Sequence, residues 1–439
     1  MNEETNRLLT RVGPGTPMGG LLRRYWHPIA GASEFDQRHT KPVRLFGEDL
    51  VLYKDLSGRF GLIDRQCAHR RADMAYGIAE KEGLRCNYHG WAFDASGSCV
   101  HQPFEDTAFP EKNLKAGVRT KAYPVAVKAG LVWAYLGPQP APCLPDWEPF
   151  SRENAFTQIA LAEIPCNWLQ CQENSIDPVH FEWMHENWGK RLREGDHVTY
   201  GPKHLKLDFD EFEYGFVYKR VREGSDESHP FWTIGRVALW PNAFFLGDHF
   251  EWRVPIDDEH TLSVLWKLTH VPKDREPYVQ QAIPAWHGPV RDEQGQWITS
   301  HVMNQDFLGW VGQGAIADRT KEHLGASDRG IVMVRKRFLE ELDRVAAGHE
   351  PKGIIRDPEK NVRVQLPVAN QDTSLRGLTI AQIMESPRRR GHLTSFPLQF
   401  GQPDWVRKMQ SEVMGVEIGE FQGLAPQFEV RPKTAAKES

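Results

Sequence analysis

A chain of 439 residues exceeds the length at which a single hydrophobic core keeps growing, so two domains are the default expectation. Hydrophobic residues make up 40% and aromatic residues 11%, including 15 Trp and 22 Phe, a composition that builds a large core and excludes a disordered chain. The formal net charge of -5 lacks the basic footprint that nucleic-acid binding needs, and Arg388-Arg389-Arg390 is too short to supply one.

The chain opens on the acidic Met1-Asn2-Glu3-Glu4, unlike a signal peptide, and no stretch approaches about 18 consecutive apolar residues. A soluble, cytoplasmic protein with no membrane partner is expected. Without an export signal, six cysteines point to reduced thiols or metal ligands rather than a disulfide framework. Asn6 to Val12 and Met18 to Trp26 carry helix-like apolar spacing around the Gly13-Pro14-Gly15 break and read as an N-terminal helical brace over residues 1–40.

From residue 41 the pattern changes to short β-like runs, Val43 to Phe46, Leu50 to Tyr53 and Arg59 to Ile63, separated by Gly-containing turns. This predicts an antiparallel β domain over residues 41–145. Within it, Cys67-Ala68-His69 and Cys86-Asn87-Tyr88-His89 are two copies of a sulfur-plus-nitrogen ligand pair on two loops. Two Cys and two His could hold one zinc ion or one iron–sulfur cluster. Zinc fingers usually place Cys with Cys and His with His, whereas here the types alternate. In a Rieske [2Fe–2S] centre two His replace two Cys on one iron, which assigns Cys67 and Cys86 to one iron and His69 and His89 to the other. Cys99, Cys143, Cys166 and Cys171 have no comparable partners and read as buried apolar thiols. Ala126 to Leu136 closes the β domain, and the Pro-rich Gly137 to Pro145 reads as a linker.

The segment over residues 146–425 begins with a second cluster, Asn174-Ser175-Ile176-Asp177-Pro178-Val179-His180-Phe181-Glu182-Trp183-Met184-His185. Two imidazoles plus one carboxylate with open positions form the facial arrangement of O₂-activating ferrous sites, so His180 and His185 are candidate iron ligands awaiting a third. Residues five apart lie about 140° out of line on an α-helix. A wider π-type turn or another irregularity is therefore expected between them. Asp177-Pro178 reads as a helix cap followed by proline in the first helical position, and capping alone is its ordinary role. Strand-like stretches follow at His204 to Phe209, Phe216 to Val221, Ile234 to Leu239, Ala243 to Val254 and Thr261 to His270, and then a helix over Arg329 to Gly348. The small, polar residues 426–439 are expected to be a disordered tail.

The pair Cys67-x-His69 and Cys86-x-x-His89, followed by Asn174-x-x-Asp177-Pro178-x-His180-x-x-x-x-His185, resembles the oxygenase (alpha) component of the Rieske non-haem iron aromatic oxygenases. Gln313 to Thr320, with Glu322 to Gly325 and Ser327-Asp328, is similar to the phthalate dioxygenase-like branch. The resemblance implies an α+β chain, an N-terminal antiparallel β Rieske domain joined to a C-terminal helix-grip (START-like) catalytic domain with a curved antiparallel sheet. It implies a [2Fe–2S] Rieske cluster, a mononuclear Fe(II), O₂ as co-substrate, and NAD(P)H acting through a separate flavin/iron–sulfur reductase. The absence of a Gly-rich dinucleotide fingerprint in this sequence agrees with a separate reductase.

The resemblance also points to Asp306 as the third iron ligand, with Asp318 and Asp328 as competitors and a cap or surface charge as its ordinary role. It implies a head-to-tail homotrimer, or stacked trimers, in which the residue matching Asp177 joins a cluster histidine of one subunit to an iron histidine of the next. The implied activity is hydroxylation of an aromatic acid. Ring cis-dihydroxylation of a phthalate-like carboxylate is the leading expectation, and O-demethylation or monooxygenation of a methoxylated aromatic acid is the alternative with the same ligands. Arg236 and Arg253 are candidates to meet the carboxylate, although a strand arginine is more often a solvated-face residue. The rival from another class, a non-catalytic Rieske electron carrier, needs only the first motif and about a hundred residues.

Overall fold

The computed structural model describes residues 1–369, 375–386, 389–390, 393, 398–419 and 430–432. Asn2 caps the helix Glu3–Thr10 by accepting from the Thr5 amide at 2.7 Å, and Thr16 caps Pro17–Leu22, with proline at its start. The second helix is shorter than expected. It stops at Leu22, and Trp26 opens a strand, Trp26–Gly31. Leu9, Val12, Met18, Leu21 and Leu22 are fully buried, and Asn6 and Arg11 bond to Ala317 and Asp258, so this segment is fastened to the C-terminal half of the chain.

Trp26–Gly31 pairs with Leu131–Tyr135, which turns through Ala129-Gly130 to pair with Val125–Lys128. Two four-stranded antiparallel sheets fill the region between. One contains Thr40–Leu45, Glu48–Lys54, Phe60–Asp64 and Ala122–Tyr123, and the other the short strands Ile78–Ala79, Leu84–Arg85, Ala92–Phe93 and Cys99–His101. A small core of Val51, Tyr53, Ile63, Met74, Leu84 and Phe93 lies beneath the two loops that carry the Cys/His pairs. Cys99, Cys166 and Cys171 are buried as expected, whereas Cys143, in the proline-rich linker, is only half-buried.

The C-terminal half is built on an eight-stranded sheet. Its strands run in the order His204–Phe212, Gly215–Arg222, Arg236–Leu239, Ala243–Phe245, His249–Pro255, Thr261–His270, Ala155–Ile164 and Ala285–His287. All neighbours are antiparallel except the last pair, so the sheet is mixed rather than purely antiparallel. The expected continuous stretch from Ala243 to Val254 is two strands, because Gly247 at φ +88° turns the chain between them. Ala155–Ile164 is buried at nine of its ten positions, and a strand covered on both faces shows no alternation for sequence reading to detect.

The helix Arg329–Ala346 lies across this sheet, with Phe338 stacked on Trp240 at 4.2 Å and edge-on to Trp168 at 5.3 Å. The architecture is therefore α+β, an antiparallel β domain followed by a domain with a large curled sheet gripping a helix. Among the described residues no helix is long and apolar enough to cross a membrane. Of the expected disordered tail, Val430–Pro432 pairs as a strand with Val416–Ile418, and the rest lies outside the described residues.

Gly330 packs tightly against residues beneath this helix. A Cβ there would stand 2.4 Å from Cε1 of Phe209 and 2.9 Å from Cγ1 of Ile176. Gly330→Val is therefore expected to lower stability by about 1–3 kcal/mol through overpacking, read as a shift of the denaturation midpoint.

Candidate metal centres

The two Cys/His loops are closed in the same way. In the first, the Cys67 amide donates to the Ala72 carbonyl at 2.8 Å and the Arg71 amide returns to the Cys67 carbonyl at 2.9 Å. In the second, the Cys86 amide donates to the Trp91 carbonyl at 2.8 Å and the Gly90 amide returns to the Cys86 carbonyl at 3.0 Å. The fourth residue after each cysteine adopts a left-handed backbone, Arg71 at φ +62° and Gly90 at φ +76°. Two equivalent knuckles thus present Cys67 and Cys86 from below and His69 and His89 from the rim.

The cysteines are buried and the imidazoles meet with ring centroids 4.7 Å apart, His69 lying flat on Trp91 at 4.3 Å. Nδ1 of His69 is buried with no hydrogen-bond partner. Burial pushes the Cys67 thiol up to about 11, and Cys86 beside it works in the same direction. Burial and the neighbouring His89 hold His69 below its ordinary range, which keeps the imidazole neutral. Two buried thiols and an imidazole nitrogen without a partner suit a cationic centre, which would draw off the thiol protons and take up the free nitrogen. These four residues could hold the two irons of a cluster.

The second centre is assembled from three elements. Asn167 caps the helix Trp168–Asn174 by accepting from the Leu169 amide at 3.1 Å. The chain then breaks at Asp177-Pro178 and is helical again from Val179, one residue later than the proline was expected to start it. Phe181–Trp188 is wound as a π-helix. Its i→i+5 winding brings residues five apart back to one side, and this is the irregularity that the spacing of His180 and His185 calls for.

Asp306 arrives from Val302–Val311 and is buried. Its Oδ1 lies 3.2 Å from Nε2 of His185 and 3.7 Å from Nε2 of His180. Ligand atoms of these three residues all fall within 4.8 Å of one another, the sole such group of three or more His, Cys, Asp or Glu among the described residues. Asp318 is instead bonded to Thr320 and Lys321, and Asp328 closes a turn onto the Gly325 amide, so neither competitor is at the site.

The supports of this trio were not all visible in the sequence. Nδ1 of His185 meets Oε1 of Gln305 at 2.9 Å, and Gln305 is anchored by donating to the Thr299 carbonyl at 3.0 Å. Asn174 donates to Oδ1 of Asp306 at 3.2 Å. Burial disfavours the His185 imidazolium, but Asp306 and the bond to Gln305 outweigh it and hold the group above its ordinary range. Nδ1 of His180 lies 3.5 Å from Oδ2 of Asp177, whose other oxygen accepts from the Val179 amide at 2.8 Å. Asp177 thus caps the helix with one oxygen and faces an imidazole with the other. Beneath, the buried Glu173 accepts from Arg335 at 2.6 Å and Arg319 at 2.8 Å, tying the first helix to the segment around residue 319. Two imidazoles and a carboxylate converging within 4.8 Å of one another, with His185 and Asp306 each held by a second bond, suit a divalent iron.

Comparison with known proteins places the chain in a family. Residues 25–124 match the Rieske [2Fe-2S] domain family, and residues 292–389 match the family described as LigXa C-terminal domain like. Over 416 residues, 95% of this chain and 97% of the relative, the sequence is 61% identical to the 5,5'-dehydrodivanillate O-demethylase oxygenase subunit of Sphingobium sp.. It is 32% identical over 396 residues, 80% of this chain and 89% of the relative, to the phthalate 4,5-dioxygenase oxygenase subunit of Pseudomonas putida. The fold matches the terminal oxygenase of carbazole 1,9a-dioxygenase from Nocardioides aromaticivorans with a TM-score of 0.52 at 20% identity, covering 77% of this chain and 96% of that one. On these matches the chain belongs to the Rieske non-haem iron oxygenases, as an oxygenase subunit.

Proposed function

We propose that this chain is the terminal oxygenase of an aryl O-demethylase that removes the methyl group of a methoxylated aromatic acid. The observation that carries this reading is the 61% identity, over nearly the whole of both chains, to a subunit that acts on 5,5'-dehydrodivanillate. The ring cis-dihydroxylation expected from the phthalate dioxygenase-like motifs has weaker support, since that relative is 32% identical. O-demethylation takes the place of the leading expectation.

Cys67 and Cys86 would hold one iron of the cluster and His69 and His89 the other, with His180, His185 and Asp306 holding the mononuclear iron. When bound, these groups supply the one-electron chemistry and O₂ activation that side chains lack. Gln305 and Asn174 orient His185 and Asp306. In a head-to-tail trimer or stacked trimers, the oxygen of Asp177 that faces His180 would also accept from a cluster histidine of the neighbouring subunit. Electrons would enter from NAD(P)H through a separate reductase. The balance is one O₂, two electrons and two protons per turnover, with one oxygen atom leaving in water and the other entering the methyl carbon, which departs as formaldehyde and leaves a phenol.

Three measurements test this reading. Reconstituted with a reductase, the enzyme is expected to release one formaldehyde per NAD(P)H from 5,5'-dehydrodivanillate, and a cis-dihydrodiol from phthalate instead would overturn it. Gln305→Leu removes the acceptor of His185 and is expected to weaken binding of the mononuclear iron about 10–100-fold while leaving the cluster's spectrum intact, as read by iron titration. Asp177→Asn keeps the capping shape but cannot accept from two imidazole N–H groups as a carboxylate does. It is expected to keep both metal centres yet slow cluster reoxidation in a single turnover of pre-reduced protein, and reoxidation at the parental rate would reduce Asp177 to a cap.

A further inference from the structure

Among the described residues, two cations beside the candidate iron site are paired with no carboxylate. Arg220 in Gly215–Arg222 and Arg236 in Arg236–Leu239 come from neighbouring strands. Tyr218 is directly opposite Arg236, and Arg220 is two residues beyond Tyr218. The row continues through Ala238 opposite Phe244 and Phe244 opposite Glu251. Side chains directly opposite or two apart share a face, so both arginines project from the side of the sheet that holds Glu251. That side faces the π-helix. Both guanidinium groups lie over the Phe181 ring, at 4.8 and 5.1 Å, and over the Phe231 ring, at 4.9 and 4.8 Å. Phe181 follows His180 in the chain and packs on His185 with ring centroids 5.6 Å apart.

Arg220 is 3% exposed, and its Nε and Nη1 have no hydrogen-bond partner, nor does Nε of Arg236. Among the described residues neither guanidinium is paired with a carboxylate, and Arg236 reaches only the Tyr218 hydroxyl, at 3.4 Å. The acids of the π-helix are already occupied, Glu182 by His204 at 2.7 Å and Glu186 by Arg222 at 2.8 Å. Burial, and then repulsion from Arg236, brings Arg220 down to about 10. Arg253 differs, being paired with Glu251 at 2.5 Å and stacked on Trp310. A buried cation without a counter-charge is costly, and a planar guanidinium fork matches the two oxygens of a carboxylate.

We propose that Arg220 and Arg236 together bind a carboxylate of the aromatic substrate and so set which ring position reaches His180, His185 and Asp306. The inference rests on the aromatic-acid reading above and adds the residues that select the acid over its neutral analogues. The test uses the fully metallated enzyme with Arg220→Gln and, separately, Arg236→Gln, on the methoxylated acid of the demethylation assay and on its primary amide. Binding of the acid is also titrated without oxygen or reductant by tryptophan fluorescence, which needs no turnover.

Each variant is expected to raise Kd and KM for the acid at least about tenfold while changing those for the amide by less than about twofold, with kcat on the acid moving less than KM. Equal losses on acid and amide, or unchanged binding of the acid by a folded variant with both metal centres loaded, would overturn the proposal. Should Arg220→Gln fail to fold, Arg236→Gln, at a less buried position, decides by the same ratio. A parental enzyme that demethylates no methoxylated acid would refute the demethylase reading, while the fluorescence titration would still decide the carboxylate clamp.

Discussion

The mononuclear site depends on one departure from regular helical winding. On an α-helix His180 and His185 would diverge by about 140°. The π-helix Phe181–Trp188 brings them back to one side, and both Nε2 atoms then look at Asp306. Such a winding is rare because its hydrogen bonds are less favourable, so it persists where the surroundings enforce it. Here Glu182 is bonded to His204, Glu186 to Arg222, and Asn187 accepts from the Gly201 amide, so the outer side of the π-helix is fastened to the loop and strands beside it.

The inner side is held by buried charge. Glu173, one residue before Asn174, is gripped by Arg319 and Arg335, and Arg335 in turn takes Glu322 with both of its terminal nitrogens. Removing one member of such a set leaves an uncompensated buried charge, which makes the arrangement strict even where its net contribution to stability is small. Asn167 extends the same logic to the N-terminus by donating to the carbonyls of Thr10 and Asp258. Gln170 donates to the carbonyls of Trp310 and Gly314, at the end of the helix that carries Asp306. The first helices, the iron-site helix and the Asp306 helix are thereby one hydrogen-bonded body.

The two centres are built on different principles. The Cys/His centre rests on two short loops with the same pair of backbone bonds, so each loop shapes itself and only their approach is left to the sheets. The His/His/Asp centre has no such local closure. Its three candidate residues come from separate helices, and its order is borrowed from side chains such as Gln305, Asn174 and Glu173.

What the sequence determined by itself follows from that contrast. Cys67, His69, Cys86 and His89 could be read as one candidate set because residue types and spacing lie within single loops, and the His180 to His185 interval announced the need for a non-α turn. The β character of the first domain and the helix Arg329–Ala346 were legible from alternation and from apolar spacing with a glycine stop. Asp306 was reached through resemblance alone, since nothing in a chain records which distant carboxylate folds back onto a histidine. The strand Ala155–Ile164 escaped because burial on both faces erases its period, and the break at Gly247 was passed over because strand-like apolar residues resume at Phe250. Arg236 was suspected, but Arg220 was not, because a buried cation and a solvated one are the same letter until the strands pair. Tertiary structure alone decided which charges are neutralised: it gave Glu182 and Glu186 to other partners and, among the described residues, left two guanidinium groups between phenyl rings without a carboxylate.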